Sequence, residues 1–220
     1  MRRALPCVVL VLCLAAALCA QPRVERGFTA AVSARLAELY SQRFGNAVPK
    51  RIAEWKGFAE RRRIASLPEI ELLGEVNRLL NRVQFVDDMR HWGELDYWAT
   101  PAEAVASNGA DCEDFSIAKY FLLKELGVPT ARLRMTYVKS LKLNQAHMVL
   151  AYYARPDAEP LVLDNLEDSV RPASQRADLV PVYSFNDEEL WIERRGRSGS
   201  PQQIRNWTLL LERLDRELRT

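Results

Sequence analysis

Cysteine, histidine and net charge are all scarce in this chain, and each scarcity excludes something. There are four cysteines in 220 residues, and Cys7, Cys13 and Cys19 lie in an apolar N-terminal stretch. Cys112 stands alone in the remainder, so no internal disulfide framework is available there. Histidine occurs twice, at His91 and His147, so an imidazole base must be one of these two. Lysine and arginine total 31 against 29 acids, and the first twenty residues carry two arginines and no acid. The rest of the chain is therefore balanced, and nothing in it supports nucleic-acid binding. The densest basic run, Arg61-Arg62-Arg63, reads as a solvated helix face. No repeat or low-complexity tract is present. The apolar run from Val8 to Ala20 is shorter than the roughly 20 residues that span a bilayer.

That run has the layout of a secretory signal: Arg2-Arg3 ahead of it, small residues from Ala15 to Ala20, then Gln21-Pro22. Residues 1–20 are read as a signal peptide and the mature chain as exported. Cleavage after Ala20 leaves Cys112 as the sole thiol, whereas cleavage after Ala17 also keeps Cys19. An uncleaved anchor and lipidation at Cys19 are the other readings of the leader. An unpaired thiol in an oxidising compartment calls for a functional reason.

About 200 residues remain, enough for one domain with a sizeable core. Helical spacing runs from Phe28 to Phe44, stopped by Gly45-Asn46, and again from Val48 to Ile64, with Trp55, Phe58 and Ile64 on its buried side. A third helix opens at Pro68-Glu69, with Leu72, Leu73, Val76, Leu79, Leu80 and Val83 on one face. His91 to Pro101 packs Trp92, Tyr97 and Trp98 around a glycine and reads as an ordered loop. Asp111 suits the N-cap of a strong helix that ends at Gly127 and Pro129, with Phe115, Ala118, Phe121 or Leu122, and Leu126 facing inward. Strands follow at 132–138, 146–153 and 160–164, with a turn at Ala154–Asp157 that makes the last two antiparallel neighbours. Shorter strands are expected at 180–184 and 190–193, then a Gly/Ser/Arg loop at 194–201. Ile204, Trp207, Leu211, Leu214 and Leu218 mark a closing helix. The fold class is α+β, helical first and then an antiparallel sheet.

Cys112 sits in the tetrad Asp111-Cys112-Glu113-Asp114. Acidic neighbours disfavour a thiolate, so a helix dipole, an imidazolium or a cation must offset them if the thiol is to react. At the first position of a helix, free N–H groups favour an anion. The expected hairpin sets His147, at the start of one strand, beside Asp164, at the end of the next. A helix start packed on that sheet would present Cys112 to the imidazole, giving Cys, His and Asp in chain order. Each residue also has a plainer reading: capping acids around a small buried residue, a core histidine, a turn aspartate. His91 is the alternative base. Asp111, Glu113 and Asp114 are hard oxygen donors of the kind calcium takes, although the EF-hand spacing is missing.

Five segments together resemble one family: HWGELDYWATPAE (91–103), GADCEDFSIAKYFLLKELGVP (109–129), NQAHMVLAYY (144–153), PLVLDNL (160–166) and PASQRADLVPVYSFND (172–187). The chain resembles the bacterial transglutaminase-like cysteine proteinases of the LapG type, from about residue 28 to 192. The resemblance implies a papain-like/transglutaminase-like core over residues 21–220, with a mainly helical lobe at 21–105 and a helix-plus-sheet lobe at 106–220. It implies a periplasmic thiol protease with a triad on Cys112, His147 and Asp164. It implies calcium bound by Asp111 and Glu113, with Asp114 as a third acid. It further implies cleavage of a large surface adhesin near its N-terminus, release of biofilm, and control by an inner-membrane receptor for cyclic di-GMP. The rivals are a transglutaminase-like acyltransferase with the same triad and a non-catalytic, calcium-bound adaptor.

Overall fold

The computed structural model describes residues 29, 32–65, 67–193 and 196–220. The expected leader, residues 1–20, lies outside them. Helix α1 (Ala34–Phe44) begins at Ser33, whose hydroxyl accepts the Leu36 N–H, and stops at Gly45 with φ 89°. Most of the segment before it that was expected to be helical is likewise outside the described residues. Helix α2 (Val48–Ile64) buries Val48, Ile52, Trp55 and Phe58. Ile64, expected on that face, is exposed in the last turn. Helix α3 (Glu69–Leu80) buries Leu72, Leu73, Val76 and Leu80.

The next stretch is more structured than a loop. Strands β1 (Gln84–Phe85) and β2 (Gly109–Ala110) pair in parallel, and Val86 N–H extends the ribbon to Ala110 O at 2.9 Å. Between them lie a one-turn helix α4 (Asp88–His91) and helix α5 (Pro101–Ser107). The start of α5 is a capping box: Thr100 Oγ1 accepts the Glu103 N–H at 3.1 Å, and Glu103 Oε2 accepts the Thr100 N–H at 2.9 Å. Pro101 is the first residue of this helix, where a missing N–H costs nothing, rather than the end of a loop.

Helix α6 (Cys112–Glu125) is the central element. It packs on strands β3 (Leu133–Ser140), β4 (Gln145–Tyr152) and β5 (Leu161–Asp164), with α3 and α5 against its other sides. That is why it is buried nearly all round, including Ile117, Tyr120 and Leu123, and not on one face alone. The sheet adds β6 (Glu167–Pro172), β7 (Leu179–Phe185), β8 (Leu190–Ile192) and β9 (Gly196–Gly199), and runs β6-β5-β4-β3-β7-β8-β9, every pair antiparallel. The expected β4–β5 neighbours do pair, with Leu150 opposite Leu163. Two edge strands were not expected. β6 lacks an apolar alternation, and β9 is the Gly/Ser/Arg segment read as a loop.

Helix α7 (Arg205–Leu218) closes the fold with Trp207, Leu210, Leu214 and Glu217 buried. Its inner face is rotated from the expected stripe, and Leu218 is exposed. Glu217 takes an inward position because Thr100 Oγ1 donates to it at 2.6 Å and Tyr40 OH donates to the same oxygen. One apolar cluster extends from Val32 to Leu210, so helices and sheet share a core. Among the described residues no helix is long and apolar enough to cross a membrane.

Candidate active site

Two pieces of local structure build the site. The first is the start of α6. Asp111 is its N-cap, and the Asp111 N–H donates to Asp114 Oδ2 at 3.3 Å. Asp114 Oδ1 accepts the Ala99 N–H at 2.6 Å, so this buried carboxylate ties the aromatic loop to the helix start. Cys112 is the first helical residue. Its thiol donates to Glu113 Oε2 at 2.9 Å, and Ser116 Oγ bonds the Cys112 carbonyl one turn on. Burial, then the Glu113 charge and hydrogen bond, then Asp111, push the thiol pKa far up, and a bond from the Met148 backbone opposes them.

The second piece is the end of the sheet at the same cleft. The β4–β5 pairing carries the start of β4 and the end of β5 to one end of the sheet. There the His147 Nε2–H donates to Asp164 Oδ1 at 2.8 Å, and both side chains are buried. Nε2 is thus committed to Asp164, and Nδ1 is the remaining ring nitrogen. Cys112, Glu113 and His147 line one cleft of about 290 Å³, walled by Trp98, Tyr137 and Tyr183. The Trp98 indole N–H donates to Asp96 at 2.9 Å and its ring stacks on Phe185. His91, the alternative base, lies outside this lining. Its Nε2 bonds Ser107 Oγ at 2.9 Å, and its ring lies so close over Gly109 that a Cβ there would meet it at 2.6 Å.

The acids divide differently from expectation. Ligand oxygens of Asp88, Asp111 and Glu113 all lie within 4.8 Å of one another. Asp114 is not in this group, and both its oxygens accept backbone N–H groups. Asp88 arrives through the β1–β2 ribbon, which lays residues 84–86 beside 109–110 and so brings the start of α4 to the start of α6. Sequence reasoning missed it; the pair Asp87-Asp88 just before the aromatic segment was the available signal. Asp88 Oδ1 and Asp111 Oδ1 are buried without a hydrogen-bond partner. Burial, opposed by the Tyr97 N–H and reinforced by neighbouring acids, raises Asp88 to about 6. Burial, then Glu113, Asp114 and Asp88, raises Asp111 to about 10. Orphaned buried oxygens in a cluster of three carboxylates fit a hard cation with flexible oxygen coordination.

A thiol at a helix start shares a cleft with a buried histidine–aspartate pair on an antiparallel sheet, in an α+β fold, the arrangement expected of a transglutaminase-like cysteine proteinase. The family model of bacterial transglutaminase-like cysteine proteinases (BTLCP) matches residues 55–197. The chain belongs to this family. Among solved structures it is similar to Legionella pneumophila LapG, at 39% identity and TM-score 0.71, over 82% of this chain and 96% of that one. An EGTA-treated form of that protein gives TM-score 0.72 at 39% identity, covering 82% and 96% of the two chains. A calcium-bound form gives 0.70 at 39% identity, covering 83% and 99%. No curated protein matches the chain significantly.

Proposed function

We propose that this chain is a calcium-dependent periplasmic cysteine endopeptidase with a Cys112–His147–Asp164 triad. The observation that carries the reading is the shared cleft of Cys112 and His147, with Nε2 of the imidazole already bonded to Asp164. In the proposed reaction the Cys112 thiol gives its proton to His147 Nδ1. Sγ then adds to the scissile carbonyl carbon, and the carbonyl π electrons move to oxygen. The Cys112 backbone N–H is the first candidate donor to that oxyanion. Collapse breaks the C–N bond as the Nδ1 proton passes to the leaving amine, leaving a thioester. A water gives a proton to His147 as its oxygen attacks the thioester carbon; collapse then breaks the C–S bond, the acid leaves, and the His147 proton returns to Sγ. Asp164 holds the ring orientation and stabilises its charged form.

Before this can start, Glu113 must let go of the thiol it now accepts from. Asp88, Asp111 and Glu113 are the residues that would hold calcium. When bound there, calcium neutralises the carboxylates beside the nucleophile. The two orphaned oxygens support this assignment, and one similar LapG structure is calcium-bound.

We further infer that the substrate is the N-terminal region of a large cell-surface adhesin, whose cleavage releases biofilm. An inner-membrane receptor for cyclic di-GMP is the inhibitory partner. The 39% identity to LapG over most of the chain supports this, as does a leader suited to export. The test incubates the mature protein with the N-terminal region of such an adhesin, with and without EGTA. Cleavage in calcium, none in EGTA, and a loss of at least about 10³-fold for Cys112→Ala are expected. Wild-type rates from a folded Cys112→Ala protein would end the triad reading. Amine incorporation in place of cleavage would move the chain to acyl transfer.

A further inference from the structure

The carboxylate behind His147 is itself held, and the residue that holds it has no part in the reaction described above. Asp164 is completely buried. Its Oδ1 accepts from His147 Nε2 at 2.8 Å and from the Leu166 N–H at 3.1 Å. Its Oδ2 accepts from Arg176 Nη2 at 2.8 Å. Arg176 is also gripped from the far side: Nε donates to Asp178 Oδ1 at 3.0 Å and Nη2 to Asp178 Oδ2 at 3.0 Å. The guanidinium thus spans two carboxylates, with 11% of its side chain exposed.

We propose that Arg176 is a positioning residue of the active site: braced by Asp178, it clamps the far oxygen of Asp164 and so fixes the carboxylate that aims His147. This rests on the triad reading. A carboxylate anchored through one oxygen can swing about its Cβ–Cγ bond; one anchored through both cannot. The planar fork suits this role, since three N–H directions are used at once, and a lysine ammonium would keep the charge without the plane. Other charges also face Asp164: His147 from β4 and buried Lys119 from α6, which itself feels Asp168 of β6. Burial pushes the Asp164 carboxyl up, but the His147 bond and charge, the Leu166 N–H and the Arg176 bond outweigh it and hold the group well below the usual range. Arg176→Ala removes one of those opposing effects and leaves Oδ2 without its bond.

The experiment compares wild type, Arg176→Ala, Arg176→Lys and Asp178→Asn in the calcium-loaded mature protein. Three readouts are taken: kcat and KM on the adhesin N-terminal region, the pH profile of kcat/KM, and the proton resonance of His147 Nε2–H. There are two histidines, so a His91→Gln protein assigns that resonance. Arg176→Ala should lower kcat by about tenfold to hundredfold, the range for groups that orient a reacting side chain, with KM within about twofold. Its acid limb should move to higher pH, because the carboxylate that supports the charged imidazole is then less firmly held. The resonance should shift or broaden. Arg176→Lys should restore the limb and part of kcat, and Asp178→Asn should give a milder loss. If Arg176→Ala fails to fold, the other two variants carry the test. Unchanged kcat, limb and resonance in the folded variants would overturn the clamp, as would equal losses in Arg176→Ala and Arg176→Lys that follow melting temperature alone. The resonance needs no substrate. If wild type cleaves nothing while the resonance still depends on Arg176, the endopeptidase reading falls and the clamp stands.

Discussion

Glu113 has two partners in prospect, and at the scale of single residues the chemistry turns on which it takes. Its oxygen now accepts the Cys112 thiol proton, and it also belongs to the three-carboxylate cluster. Drawn to a cation, it would free the thiol to turn to His147. Asp88 and Asp114 separate the metal role from the structural one. Asp88→Asn should weaken the calcium response as Asp111→Asn does, since each removes a buried, unpartnered oxygen. Asp114→Asn should instead lower stability by about 1–3 kcal/mol with or without calcium, because the amide keeps one acceptor oxygen and turns an NH2 donor toward one of the two N–H groups, Ala99 or Asp111, that the carboxylate accepts from. Melting curves in EGTA and in calcium distinguish the two, and a calcium response lost only in the Asp114 variant would reverse the assignment. That Cys112 and His147 would share a cleft, with Asp164 on the imidazole, was legible in sequence because a lone thiol and two imidazoles leave few choices and the expected hairpin sets His147 beside Asp164. Asp88 and Arg176 were not. Their residue types are common, and they reach the site through the β1–β2 ribbon and the turn before β7, contacts that no local pattern encodes.

Elements were legible where burial is one-sided and obscured where a polar contact decides the packing. Helices α2 and α3 follow their apolar spacing, apart from the exposed Ile64, and α6 follows it only in part, because its neighbours cover it nearly all round. Helix α7 does not, because Glu217 occupies a core position that a hydrophobic stripe would give to a leucine. That acid has a pH consequence. Burial, against the Thr100 and Tyr40 bonds and with Glu103 and Arg213 nearby, raises Glu217 to about 7. The folded state therefore holds a proton that the unfolded chain releases above its ordinary value of 4.5. Stability from this group is intact below 4.5, falls as pH rises, and is lost above 7, a cost on the order of 3 kcal/mol. Glu217→Gln keeps an oxygen for both hydroxyls and removes the titration. In saturating calcium its melting temperature should match wild type at pH 5 and exceed it by roughly 6 °C at pH 8. Parallel curves across that range would show that Glu217 is ionised in the fold.

At the scale of the whole molecule, the carboxylate cluster brings together segments that are apart in sequence. Asp88 lies at the start of α4, and Asp111 and Glu113 at the start of α6. The aromatic loop between them is pinned to the same acids through Tyr97 N–H on Asp88 and Ala99 N–H on Asp114. The same loop supplies Trp98 to the cleft wall. A cation in the cluster would thus order the cleft and stabilise the fold together. The two-part outline, helices then antiparallel sheet, was readable from spacing; this linkage was not, because it depends on a two-residue ribbon too short to leave a pattern. Binding to the folded state alone should add about 2.7 kcal/mol at a hundredfold excess over Kd, which raises the melting temperature by roughly 5–10 °C. Magnesium should give much less, since it demands octahedral geometry and keeps its waters. In EGTA, amide exchange should quicken at residues 88–100 and 109–114, while β3 and β4 stay protected by their ladder. Full cleavage in EGTA, with no calcium shift in melting and no change in exchange around α4, would mean that these acids only cap helices and bind loops, and the cation would have no part in assembling the site.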